Sequence, residues 1–240
     1  MINYNYVGKF PYFYSIITKK SDVEKVQNSS RCDDFLTTDL SSYNGKDGSF
    51  LKTCKQLSNH IKDIITDPKS PEHEFCKYIN YWFYDTLKSK KPFSYYSLLH
   101  QFYNKIENLK LCSQYQEGTV EGIYEDLNYL YELYDDLYNF KNESSTEGED
   151  NCIYGKNIIG IYETKQPDCK NNYNNEFCLK LIDFREEYEG YKSDVKRCKN
   201  SMVYLEPIRD DATSNFLISS ASISAISAAF FVSYKVITLF

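Results

Sequence analysis

Residues 119–140 read TVEGIYEDLNYLYELYDDLYNF, and within them Val120, Ile123, Leu127, Leu130, Tyr134 and Leu137 recur at 3-4-3-4-3 spacing. That spacing lines one face of an α-helix, whose residues three and four apart lie above one another. Glu132, Asp135 and Asp136 flank the stripe and read as its solvated side. Working outward, the same periodicity returns. In GSFLKTCKQLSNHIKDIITD (48–67), Phe50, Cys54, Leu57, Ile61 and Ile64 form a second stripe, ended by Pro68 and Pro71. EHEFCKYINYWFYDTLKSK (72–90) carries Cys76, Ile79 and Phe83, and KPFSYYSLLHQFYNKIENLKLC (91–112) carries Leu98, Phe102, Ile106 and Leu109. EFCLKLIDFREEYEGYKSDVKRC (176–198) places Phe177, Leu181, Phe184, Tyr188, Tyr191, Val195 and Cys198 at heptad-like intervals. Between these, 141–151 reads as a polar, acidic loop and 152–175 as an irregular stretch rich in Asn and Gly. The fold class is all-α: a disulfide-containing helical bundle.

The chain has 240 residues, enough for one ordinary domain with additions. A net charge of −6 argues against a nucleic-acid partner, which calls for a basic face. Tyrosine (24) and phenylalanine (15) are abundant beside one tryptophan, a composition able to bury a core. Eight cysteines, Cys32, Cys54, Cys76, Cys112, Cys152, Cys169, Cys178 and Cys198, are spread over the body. An even, dispersed set of this kind suggests a disulfide framework formed in an oxidising compartment. Helix geometry disfavours two pairs. Cys178 and Cys198 would sit about 30 Å apart on one helix, and Cys54 and Cys76 would be offset by about 10 Å across their turn. The remaining bridges are expected between more distant elements. Eight cysteines allow about 105 pairings, and the choice stays open.

Catalytic patterns are weak. His73 lies three residues before Cys76, a spacing open to one zinc ion, but no CxxC or HxxxH completes a set. His60 and His100 stand apart from it. SSYNGKDGS (41–49) lacks the order of a phosphate-binding loop and reads as a turn before a helix, with Asp47 or Ser49 as cap. Glu186, Glu187 and Glu189 read as a solvated helix face. Asn28-Ser29-Ser30 and Asn142-Glu143-Ser144 fit the glycosylation sequon. No metal, cofactor or catalytic residue is assigned.

The C-terminal stretch SNFLISSASISAISAAFFVSYKVITLF (214–240) has no charge from Phe216 to Tyr234. Nineteen helical residues cover about 28 Å, close to the ~30 Å bilayer core, so 216–234 reads as a single transmembrane helix. Its serines are tolerated because they bond back to the helix, yet they add no apolar drive. Ser220/Ser224, Ala221/Ala225 and Ser224/Ala228 fit small-xxx-small packing, a route to helix–helix self-association. The opening MINYNYVGKFPYFYSIITKK lacks the plan of a signal peptide. Arg197, Lys199 and Arg209 before the span against Lys235 after it would leave the body in the cytoplasm, whereas the cysteines favour the opposite side.

CKYINYWFYDTL (76–87) resembles the C-x-Y-L-N-Y-W-L-Y-D signature of the Plasmodium interspersed repeat proteins, the vir-type multigene family of malaria parasites. In order along the chain, CDDF, FLKTCKQLSNHI, LYELYDDLYNF, the Cys178-to-Cys198 segment and MVYLEP resemble that family's other pieces. Tyr81, Trp82, Tyr84 and Asp85 carry the signature, with Trp82 expected as a core anchor. The resemblance implies a variant surface antigen of infected red cells, in a host-interaction or immune-evasion role without catalysis. Its partners would be membrane lipid and a host receptor or antibody, met through loops such as 141–151. It implies a single-pass membrane protein at the infected red cell surface or in export compartments. The alternative is a tail-anchored scaffold facing the cytosol of parasite or host cell, with reduced thiols. The expected organisation is a variable N-terminal segment (1–31), a helical Cys-containing domain (32–205), a juxtamembrane linker (206–215), the span (216–234) and a short tail (235–240).

Overall fold

A computed structural model describes residues 4–19, 29–41, 48–66, 71–88, 94–116, 120–145, 152–192, 195, 197–198 and 202–209. The described residues form helices and no strand: α1 (Phe10–Lys19), α2 (Ser29–Thr38), α3 (Ser49–Ile65), α4 (Glu72–Leu87), α5 (Tyr95–Lys105), α6 (Val120–Ser145), α7 (Ile153–Asn171) and α8 (Glu176–Tyr191). Two 3-10 segments, Val7–Lys9 and Glu107–Tyr115, accompany them. The expected span, 216–234, and tail lie outside the described residues. Among the described residues no helix is long and apolar enough to cross a membrane.

The long helix α6, about 39 Å at ~1.5 Å per residue, packs against α1, α4, α7 and α8. Ile123, Leu127, Leu130, Tyr134 and Leu137 are buried along it, as the stripe requires. Helix α4 is enclosed more fully than its stripe foretells. Phe75, Cys76, Tyr78, Ile79, Asn80, Tyr81, Phe83 and Leu87 are all buried, because α1, α3, α5, α6 and the Glu107–Tyr115 segment surround it. Its aromatic rings reach each neighbour: Phe10 lies 5.3 Å from Tyr78, Phe102 5.0 Å from Phe83, and Phe50 stacks on Trp82 at 5.5 Å.

Several boundaries differ from the sequence reading. Part of 1–31, read as lying ahead of the helical domain, packs into it: Val7, Phe10 and Phe13 are fully buried. The third predicted helix is broken at Ile106, whose extended backbone (φ −91°, ψ 96°) separates α5 from the 3-10 segment. Both conformations keep Ile106 and Leu109 inward, so the periodicity hides the break. Helix α6 continues through Ser145 into the expected acidic loop. The stretch 152–175 is mostly α7, with Pro167 inside it. Helix α8 stops at Tyr191 rather than Cys198, which sits beyond it at φ 62°.

All eight cysteines are paired. Cys32–Cys54 joins α2 to α3, and Cys76–Cys112 joins α4 to the 3-10 segment. Cys152–Cys198 closes the base of the α7–α8 hairpin, and Cys169–Cys178 closes its tip. Cα separations of 5.2–6.0 Å fit ordinary bridges. Neither disfavoured pair forms. One bridge is local, however: Cys169 and Cys178 are only 9 residues apart, across a turn that the irregular reading of 152–175 concealed. Loop-closure entropy assigns the bridges on the order of 2.5–4 kcal/mol each, least for the short Cys169–Cys178 loop.

Phe83 meets Phe35, Phe50, Trp82, Tyr95 and Phe102 and is fully buried. Phe83→Ala is expected to lower unfolding free energy by about 3–5 kcal/mol in denaturant titrations, and Tyr96→Ala, at an exposed ring, by less than about 0.5 kcal/mol.

Candidate functional site

The signature residues on α4 form a polar seam against α6. The Tyr81 hydroxyl donates to Asn128 Oδ1 at 2.9 Å, and its ring stacks on Tyr124 at 5.7 Å. The Tyr124 hydroxyl donates to Asp85 Oδ1 at 2.6 Å, while Lys88 bonds both the Tyr124 oxygen and Asp85. Tyr84 packs edge-on to Tyr95 at 5.2 Å and against Tyr124 at 5.1 Å. Burial first, then the neighbouring Asp85 charge, push the Tyr81 phenol well above its ordinary range, so it stays a neutral donor. Trp82, expected as a core anchor, is only partly buried and stacks on Phe50 at the edge of the core rather than within it. The arrangement locks two helices together.

Deeper in the same helix, Asn80 is a hub. Its amide nitrogen donates to the Tyr115 carbonyl at 2.8 Å, its side-chain oxygen accepts from Tyr103 at 2.5 Å, and its carbonyl accepts from Tyr95 at 2.8 Å. Sequence periodicity gave Asn80 no role; its place as the Asn of the C-x-Y-L-N-Y-W-L-Y-D signature was the available signal.

The remaining candidates are scattered. His73 is exposed and Cys76 is oxidised, so the two do not form a zinc pair. His100 is exposed beside Gln116, and the His60 side chain lies outside the described residues, as does Asp47. Among the described residues no group of three His, Cys, Asp or Glu is placed to hold a metal ion. Helix α3 begins at Ser49, after Gly48 at φ 66°, a left-handed turn that glycine adopts without steric cost. Of the sequons, Asn28 lies outside the described residues; Asn142 is on α6, and the Ser144 hydroxyl is buried against Tyr191 at 2.7 Å. In the Glu186–Glu189 cluster, Glu187 pairs with Lys141 and Glu189 accepts from the Leu205 amide at 2.8 Å, so this is more than a solvated face.

Glu189 is one of several groups gripping residues 202–209, which lie as a strap against α7 and α8. Tyr188 donates to the Val203 carbonyl, Arg185 to that of Leu205, Tyr162 to that of Glu206 and Gln166 to that of Pro207. Met202, Leu205 and Ile208 are buried. Residues 206–209, expected to begin the juxtamembrane linker, are held against the body by these bonds. Where the strap ends, Lys170, Tyr173, Glu206, Pro207, Ile208 and Arg209 line an open cavity of about 450 Å³. Lys170 pairs with Glu206 at 3.1 Å, and the Arg209 guanidinium lies 5.5 Å from the Tyr173 ring.

A protein-family model described as Plasmodium vivax Vir protein matches residues 9–229. The chain belongs to the Vir family. The match takes in α1, in keeping with the burial of Phe10 and Phe13 in the common core. Comparisons with curated proteins and with solved structures gave no match. In this Vir protein the signature residues Tyr81 and Asp85 join α4 to α6.

Two substitutions test the buried polar groups of α4 and α6. Asn80→Ala removes an amide bonded to Tyr103 and Tyr115 and should cost about 2–4 kcal/mol by thermal or chemical unfolding. Asp136 on α6 has its pKa raised to about 6, chiefly by burial and further by Asp135 and Glu132, with an Asn157 hydrogen bond acting the other way. A raised carboxyl pKa favours the folded state below the unfolded value near 3.8, and this contribution is lost as pH rises through about 6. Asp136→Asn should flatten stability between pH 4 and pH 6 and raise it near neutrality by ~1 kcal/mol after allowance for solvent screening.

Proposed function

We propose that this Vir-family chain is a non-catalytic variant surface antigen of malaria-infected red cells, anchored by 216–234 with its helical body outside the cytosol. The observation that carries the reading is the complete pairing of eight cysteines into four disulfides. Structural disulfides persist in secretory and extracellular compartments, whereas cytosolic reductants keep thiols reduced. A body facing the parasite or host cytosol would carry eight thiols instead. Family membership supports the antigenic role. Host receptors or antibodies would meet the bundle through its exposed ends, the 141–151 region among them.

Protease protection on intact infected red cells tests this, with an epitope tag placed before Cys32. Loss of the tag without lysis is the expected result. Full protection while control surface proteins are cleaved would place the body inside and overturn the reading. Thiol counting under denaturing, non-reducing conditions gives an independent check: the native protein should show no free thiol, and eight would favour the cytosolic scaffold.

A further inference from the structure

The strap fixes where the body meets whatever follows it. It runs from Tyr188 toward the hairpin tip, passing Tyr162 and Gln166 in turn, and delivers Arg209 beside Tyr173 in the α7–α8 turn. Six residues, 210–215, then separate Arg209 from Phe216. Fully extended, that tether spans at most ~25 Å. The end of the body nearest the apolar segment is thus the hairpin tip, which the Cys169–Cys178 bridge holds in shape.

Among the asparagines of the tip (Asn171, Asn172, Asn174 and Asn175), two side chains suit a membrane–water interface. Tyr173 and Leu179 are exposed there at 40% and 44%. Tyrosine suits the headgroup level, where its ring meets the acyl boundary and its hydroxyl stays wet. The adjoining cavity mixes charges, with Lys170 and Arg209 beside Glu206. Asp210 and Asp211 follow directly, so the patch is not net basic and lacks the excess of cations that draws a protein to an anionic leaflet. Paired cations and a carboxylate instead complement a headgroup that carries both a phosphate and a quaternary ammonium.

We propose that the α7–α8 hairpin tip, through Tyr173, Leu179, Lys170, Glu206 and Arg209, rests on a zwitterionic phospholipid surface, so that the bundle stands end-on to the membrane. This rests on the reading of 216–234 as a membrane span. The Cys152–Cys198 bridge and the C-terminal end of α6, where Ser144 meets Tyr191, then occupy the far end, one α7 length from the lipid. The accessible face of the antigen is that far end.

The test uses the full chain reconstituted into phosphatidylcholine vesicles containing brominated lipid. A fluorophore is attached at Asn174→Cys in the tip or at Lys156→Cys near the base, separated by about 22 Å of α7 between Lys156 and Asn171. Asn171→Cys supplies a second tip position should the first disturb folding. Tip labels should be quenched several-fold more than the base label. Equal quenching at both ends would mean that the bundle lies on its side, and would overturn the proposal. So would an unquenched tip in a chain that still floats with the vesicles; that outcome leaves the surface-antigen reading intact. Quenching that appears only with phosphatidylserine would overturn the zwitterionic assignment. Failure to float with any vesicle would remove both this inference and the anchored antigen from which it starts.

Discussion

The buried amide of Asn80 sets terms for the helices around it. An amide withdrawn from water is costly unless its donors and acceptors find partners. Here Tyr95 and Tyr103 from α5 and the Tyr115 carbonyl supply them. Those partners fix how α5 and the following 3-10 segment lie on α4, and the Cys76–Cys112 bridge, one helical turn before Asn80, holds the same junction covalently. The aromatic rings of α1, α3 and α6 then fill the remaining sides of α4. Apolar packing alone tolerates sliding; the amide and the bridge select one register.

Tyrosine serves a related purpose throughout the molecule. Its ring buries area as phenylalanine does, while its hydroxyl can satisfy a carbonyl that helix geometry leaves over. Tyr129 reaches the Ile161 carbonyl of α7, and Tyr162 and Tyr188 hold strap carbonyls. The strap has no secondary structure of its own, so its carbonyls need such side-chain donors. A tyrosine-rich composition and an irregular segment bound to helices are two sides of one arrangement.

What the sequence made legible follows from which residues occupy the inward positions. In α3, α4, α6 and α8 these are apolar, and periodicity located each helix. In α7 the buried positions are Gly155, Ile158, Tyr162, Gln166 and Cys169, so glycine and glutamine stand where hydrophobic residues would have signalled a helix, in a stretch whose Asn and Gly content read as irregular. The end of α8 was misplaced because Val195 and Cys198 continue the inward spacing after the helix has ended. The α4–α6 seam was visible only as a resemblance: Asp85 and Tyr124 are 39 residues apart, and nothing local announces that they meet. The strap was harder still, since its contacts are mostly to backbone carbonyls, which every residue possesses.

The pairing pattern of the cysteines has a genetic consequence. Cys32–Cys54 and Cys76–Cys112 close before Cys152, and Cys169–Cys178 nests inside Cys152–Cys198. No bridge spans the interval between Cys112 and Cys152. A crossover there between two gene copies with this arrangement would exchange the α7–α8 half whole, leaving every cysteine with a partner on its own side. The α6 surface would still have to match the incoming hairpin, but the covalent framework would survive. Such a joint lets sequence be shuffled between copies without orphaning a thiol.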